Sequence, residues 1–101
     1  MKYIISENRL QEFVNSYLDN ILDQSVVMRP DPYIIIAEPS VDDFPYSDWM
    51  EYDRLDGRLW INRKFLQRFM DTFGFDTGMS QELIGNWFED KFDRVIKYKE
   101  S

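Results

Sequence analysis

The spacing of apolar residues predicts three amphipathic helices and a small sheet. After Leu10, the residues Phe13, Val14, Tyr17, Leu18, Ile21 and Leu22 recur at i, i+3, i+4 and i+7, so one helix face is continuously apolar. Ser6 stands at the cap position, with Ile5 and Leu10 placed to form a hydrophobic staple across it. The polar positions are Gln11, Glu12, Asn15, Ser16, Asp19, Asn20 and Asp23, an outward face without a lysine. A second stripe of Phe65, Leu66, Phe69, Met70 and Phe73 follows Asn62 as cap and stops at Gly74, a residue suited to the left-handed helix end. A third stripe, Leu83, Ile84, Trp87, Phe88 and Phe92, opens at Ser80. Gly85 interrupts it at a cost of about 1 kcal/mol against Ala, which points to a close backbone approach.

Between these helices lie strand signals. Lys2–Ile5 reads as a short strand, and Val26–Arg29 and Tyr33–Ala37 read as strands around the turn Pro30-Asp31-Pro32. The unbroken β-branched run 34–36 predicts a strand covered on both faces. Glu38–Asp48 is a loop, since Pro39 and Pro45 oppose regular pairing. Trp49–Leu55 and Arg58–Asn62 flank Asp56-Gly57, which predicts a two-residue type I′ hairpin opposing Tyr52 to Ile61, Asp53 to Trp60 and Arg54 to Leu59. Met50, Tyr52, Leu59 and Ile61 then face the core, and Trp60 shares the other face with Glu51, Asp53, Leu55, Arg58 and Asn62. Arg94–Lys99 reads as an edge strand guarded by lysines. The expected fold is α+β, one globular domain over residues 1–101. Three amphipathic helices pack a small, mainly antiparallel sheet around a central Asp-Gly hairpin.

Two segments carry a resemblance. Lys2-Tyr3-Ile4-Ile5-Ser6-Glu7, followed by Leu10, resembles the opening of many small proteins of large tailed bacteriophages, marine ones especially. Leu83-Ile84-Gly85-Asn86-Trp87-Phe88-Glu89-Asp90-Lys91-Phe92 resembles a segment near the end of some of them, and a hairpin entering a helix fits their layout. Those proteins are uncharacterised. The resemblance therefore implies a phage origin and a host-cytoplasmic location, with no activity and no functional residue to carry over.

Composition narrows the chemistry. The 101 residues include no histidine and no cysteine, which removes the usual near-neutral acid–base group, thiolate chemistry and disulfides. No signal peptide is visible, and the longest apolar run, Tyr33–Ala37, is far short of the ~20 residues of a membrane helix. A soluble cytoplasmic protein without membrane association is expected. The net charge of −7 is uneven: residues 1–56 carry twelve acids and four bases, residues 57–101 seven acids and eight bases. An acidic total opposes non-specific binding of nucleic acid over the whole surface but leaves room for a basic face in the second half.

Two candidate surfaces follow. The stretch Asp31–Asp56 holds eight of the nineteen acids and a single base. Within it Asp42, Asp43, Phe44, Tyr46 and Trp49 alternate carboxylates with aromatic groups, a pattern that suits docking to a protein with a basic surface. Self-association of the acidic and basic halves is the related possibility. The structural reading is a surface loop whose aromatics fold back on the core. The second candidate is an anion or nucleic-acid site at the start of the second helix. Arg63 and Lys64 occupy its first turn against the helix dipole, Arg68 extends the strip by one turn, and Trp60 on the preceding strand offers a stacking surface. Here the alternatives are neutralisation by acids of the first half, and Arg58 stacking on Trp60.

Other chemistry finds no support. Asp42, Asp43, Asp48, Glu51 and Asp53 cluster in sequence, but EF-hand spacing fails at Gly57 and Gly78, and no metal or cofactor is expected. Pro30-Asp31 with Glu38 resembles the start of a restriction-type nuclease motif, yet Ser40 stands where that chemistry needs lysine. Serine catalysis lacks a histidine base, and the four glycines are isolated. A non-catalytic interaction module is the first expectation, with anion binding as the alternative.

Overall fold

The computed structural model describes residues 7–23, 25–29, 31–37 and 48–101. Its elements in chain order are α1 (Glu7–Ile21), β1 (Val26–Met28), β2 (Tyr33–Ala37), β3 (Asp48–Asp53), β4 (Arg58–Ile61), α2 (Arg63–Phe73), α3 (Thr77–Phe92) and β5 (Tyr98–Glu100). The strands lie in the order β1-β2-β3-β4-β5, antiparallel up to β4, with β5 added parallel to β4. This is the expected α+β arrangement of three helices on a mainly antiparallel sheet. The strand expected at Lys2–Ile5 and the Ser6 cap lie outside the described residues.

The helices share one face of the sheet. Ile34, Ile36, Met50, Tyr52, Leu59 and Ile61 join Val14, Leu18, Phe65, Leu66, Phe69, Leu83, Ile84, Trp87 and Phe88 in one buried cluster. The expectation that residues 34–36 are covered on both faces is corrected here. Ile34 and Ile36 are buried, but Ile35 is only half-buried, because no described helix lies on the second face. Phe13 also departs from its expected place. It is 64% exposed, and its ring lies nearly perpendicular to that of Phe73, at 5.9 Å between ring centres.

The hairpin register differs from expectation by two residues. Tyr52 opposes Leu59, Asp53 opposes Arg58 and Glu51 opposes Trp60. A type I′ turn needs positive φ at both central residues, whereas among the described non-glycine residues only Asp93 has one. Gly57 alone turns, at φ 69°, and its N–H reaches Asp53 O at 2.8 Å, while Leu55 N–H donates to Asp53 Oδ1 at 2.9 Å. Arg54–Gly57 is thus a four-residue loop. Because side chains alternate with period two, a two-residue slip keeps every strand side chain on its expected face; Arg54 and Leu55 leave the first strand for the loop, both exposed, and Asn62 leaves the second for the cap of α2.

Helix ends follow the chemistry of their caps. Asn62 caps α2 by accepting from Lys64 N–H at 2.8 Å, and Gly74 closes it at φ 74°. The start expected at Ser80 is corrected: Asp76 accepts from Met79 N–H at 2.8 Å, so α3 begins a turn earlier. Ser80 becomes fully buried, its hydroxyl without a hydrogen-bond partner among the described residues. Gly85 does permit a close approach, but by a lysine stem rather than backbone. A Cβ there would lie 2.3 Å from Lys99 Cε.

The polar face of α1 is not wholly solvated. Gln11 donates to Leu83 O at 3.0 Å and accepts from Asn86 at 3.1 Å, while Asp19 accepts from Trp87 Nε1 at 3.0 Å and Lys91 Nζ at 3.2 Å. These bonds join α1 to α3. The Trp87 indole N–H, aided by Lys91 and opposed by partial burial, lowers the Asp19 carboxyl below its ordinary value. A lowered folded-state pKa adds stability above the unfolded value of about 3.9, and this is lost as pH falls through the folded value. Asp19→Asn is therefore expected to lower the denaturation midpoint at pH 7, with a gap that narrows toward pH 3. A gap of constant size across that range would contradict this linkage.

Candidate anion-binding site

The site forms where β4 gives way to α2. Asn62 makes the junction: its N–H donates to Trp49 O at 2.9 Å, its Nδ2 to Asp48 O at 3.0 Å, and its Oδ1 caps α2. One residue therefore fixes the start of β3, the end of β4 and the helix N-terminus together. Phe65 buries the first turn of α2 and holds the Trp49 indole at 4.9 Å and 61°. The opposite side of that turn is then left to Arg63, Lys64 and Arg68, all exposed.

These groups line one cavity of about 680 Å³, with Trp49 and Trp60 as its aromatic walls and Ser101, just beyond β5, at its margin. All four residues of the expected anion site, Trp60, Arg63, Lys64 and Arg68, are brought together. No described carboxylate forms an ion pair with Arg63, Lys64 or Arg68; the ion pairs lie elsewhere, at Arg54–Asp31, Arg58–Asp56, Arg58–Glu100 and Lys91–Asp19. No acid stands in the first turn of α2 and no base in the last, so both ends run against the helix dipole. A groove shared by Lys64 and Arg68 continues along α2 to Gln67 and Thr72.

Trp60 also borders a second cavity, about 270 Å³, on the open face of the sheet with Tyr33, Glu51, Asp53, Arg58 and Glu100. Arg58 does not stack on the indole as its spacing allowed: its guanidinium meets Asp56 at 2.8 Å and Glu100 at 3.3 Å. Glu51 lies directly across from Trp60 on β3. Burial, then the neighbouring charge and hydrogen bond of Asp48, raise its carboxyl above the ordinary glutamate value. Among the described residues no group of three or more acidic side chains gathers as a metal site would require, and no helix is long and apolar enough to cross a membrane.

The acidic–aromatic candidates fare differently. Asp42, Asp43, Phe44 and Tyr46 lie outside the described residues. Trp49, the fifth, stands in the basic cavity. Chain order groups it with the acidic loop, since Asp48 and Asp43 are its near neighbours in sequence. Its true neighbours follow from Asn62 reaching back to residues 48 and 49, fourteen and thirteen positions earlier in the chain. The chain matches no protein-family model, no curated protein and no solved structure.

Proposed function

We propose that this chain binds a nucleotide-class ligand, a flat heteroaromatic ring carrying phosphate, in the cavity between Trp49, Trp60 and α2. The observation that carries this reading is the convergence of two indoles and three cations on one cavity, with no described carboxylate paired to those cations. An indole stacks any nucleobase, worth about 1–3 kcal/mol per base. Arg and Lys supply charge-assisted bonds to phosphate oxygens. The volume lies within the roughly 300–1,000 Å³ of small-ligand sites. The net charge of −7 repels long polyanions, which favours a free nucleotide over a nucleic-acid polymer.

Calorimetric titration with nucleoside monophosphates and with inorganic pyrophosphate tests the reading. Arg63→Glu with Lys64→Glu is expected to weaken both classes about 100-fold or more, two charge-assisted bonds at about 1.5–3 kcal/mol each being lost. Trp60→Ala is expected to weaken nucleotides about tenfold while sparing pyrophosphate, because only the ring uses the indole. Asp42→Asn with Asp43→Asn leaves both unchanged. Nucleotide affinity indifferent to the charge reversal would end the proposal. Loss of a basic protein partner with the Asp pair alone would return the function to the acidic loop.

A further inference from the structure

The electrostatic character of the surface changes sign across a single side chain. On one side of Trp60 lie Arg63, Lys64 and Arg68; on the other lie Glu51, Asp53 and Glu100, with Arg58. Strand register puts Glu51 and Glu100 directly across from Trp60 on β3 and β5, so all three side chains project from the same face. Arg58 and Glu100 engage each other, which leaves Glu51 as the carboxylate beside the indole without a cation partner among the described residues.

From this we infer that the ligand straddles Trp60. Its phosphate lies on the α2 side, and an adjacent pair of hydrogen-bond donors at its other end is read by Glu51. This inference rests on the nucleotide reading of the cavity. An ionised carboxylate only accepts hydrogen bonds, and two donors set side by side match its two oxygens, taking the place of the hydrogen bond Glu51 shares with Asp48. Two parts of a nucleotide offer such a pair: the N1–H and N2–H₂ edge of guanine, and the 2′,3′-diol of ribose. The base edges of adenine and cytosine set an acceptor beside their amino group, and uracil flanks its single N–H with carbonyls. A carboxylate repels those acceptors, so selectivity arises as much from rejection as from attraction. The basic side supplies affinity, and the acidic side supplies discrimination.

The experiment compares wild type, Glu51→Gln and Arg63→Glu/Lys64→Glu by calorimetry at pH 7 with GMP, IMP, AMP, UMP, 2′,3′-dideoxy-GMP and pyrophosphate. A preference of tenfold or more for GMP over both IMP and AMP assigns the donor pair to the guanine edge. A similar preference of ribo- over dideoxynucleotides assigns it to the diol. In either case Glu51→Gln, which keeps shape but replaces one acceptor oxygen with a donor, is expected to erase the preference and leave pyrophosphate affinity unchanged. Equal affinities for all nucleotides, still lost on charge reversal at Arg63 and Lys64, overturn this inference while the nucleotide site stands. Retention of the preference in Glu51→Gln overturns it as well. Failure of wild type to bind any of these ligands removes both readings.

Discussion

Gly57→Ala is expected to destabilise the fold by about 3 kcal/mol, through two effects that coincide at one atom. Gly57 sits at φ 69°, where a Cβ is strained in any surroundings. The space is also taken: a Cβ there would meet Lys97 Cγ at 2.9 Å and Lys97 Cβ at 3.2 Å. Lys97 Cβ is fixed to the backbone and cannot swing aside. Moreover, Gly57 O accepts from Lys97 N–H at 2.7 Å and Tyr98 N–H at 3.2 Å, the bonds that bring the chain onto the edge of β4. Gly74 is the comparison. Its φ is 74°, yet nothing lies within 4 Å of an added Cβ, so Gly74→Ala is expected to cost only about 1 kcal/mol, the backbone strain alone. Urea denaturation of both variants measures the difference. Equal losses would mean that the contact with Lys97 contributes nothing.

Phe69→Ala is expected to cost about 4 kcal/mol, in the range for a large aromatic removed from a core that cannot collapse around the void. Phe69 is 1% exposed and lies among Phe73 at 4.8 Å, Tyr17 at 6.2 Å and Phe75 at 6.2 Å. That cluster ties α1, α2 and the α2–α3 turn together, and through α2 it fixes the helix carrying Arg63, Lys64 and Arg68. Set against a typical total of about 5–15 kcal/mol, the loss threatens the fold. Phe69→Leu keeps most of the volume and is expected to cost about 1–2 kcal/mol, mainly lost ring pairing. Phe13→Ala, at an exposed ring paired with Phe73, is expected to cost less than about 1 kcal/mol. Denaturation midpoints in the order Phe13→Ala, Phe69→Leu, Phe69→Ala, from highest to lowest, check this ranking. A Phe13 loss equal to that of Phe69 would refute it.

Much of this fold was legible because its signals are local. Helical periodicity placed Val14, Leu18, Phe65, Phe69, Ile84 and Phe88 on buried faces, and all six are buried. Caps at Asn62 and Gly74 were readable because they depend on one side chain and one dihedral angle. The cap at Asp76 was missed because Ser80 offers the same chemistry four residues later. The competition was decided by the burial of Ser80, which depends on tertiary packing. Likewise Gln11 and Asp19 resembled solvated positions, since nothing in α1 announces that Leu83 O, Asn86 and Trp87 will face them.

The candidate site divides in the same way. Arg63, Lys64 and Arg68 share a helix face by spacing alone, and alternation set Trp60 on the strand face opposite the core, so the sequence by itself determined these placements; that no described helix covers the Trp60 face was decided by the tertiary structure. It also determined most of the core, Phe13 and Ile35 excepted, because periods of 3.6 and 2 are properties of single elements. Only the tertiary structure decided the hairpin register, the parallel docking of β5, and the meeting of Trp49 with the basic strip. Each of these depends on groups far apart in the chain: Gly57 with Lys97, and Asn62 with Asp48 and Trp49. Such pairings depend on loop closure and competing partners, which a local pattern of polar and apolar residues does not encode.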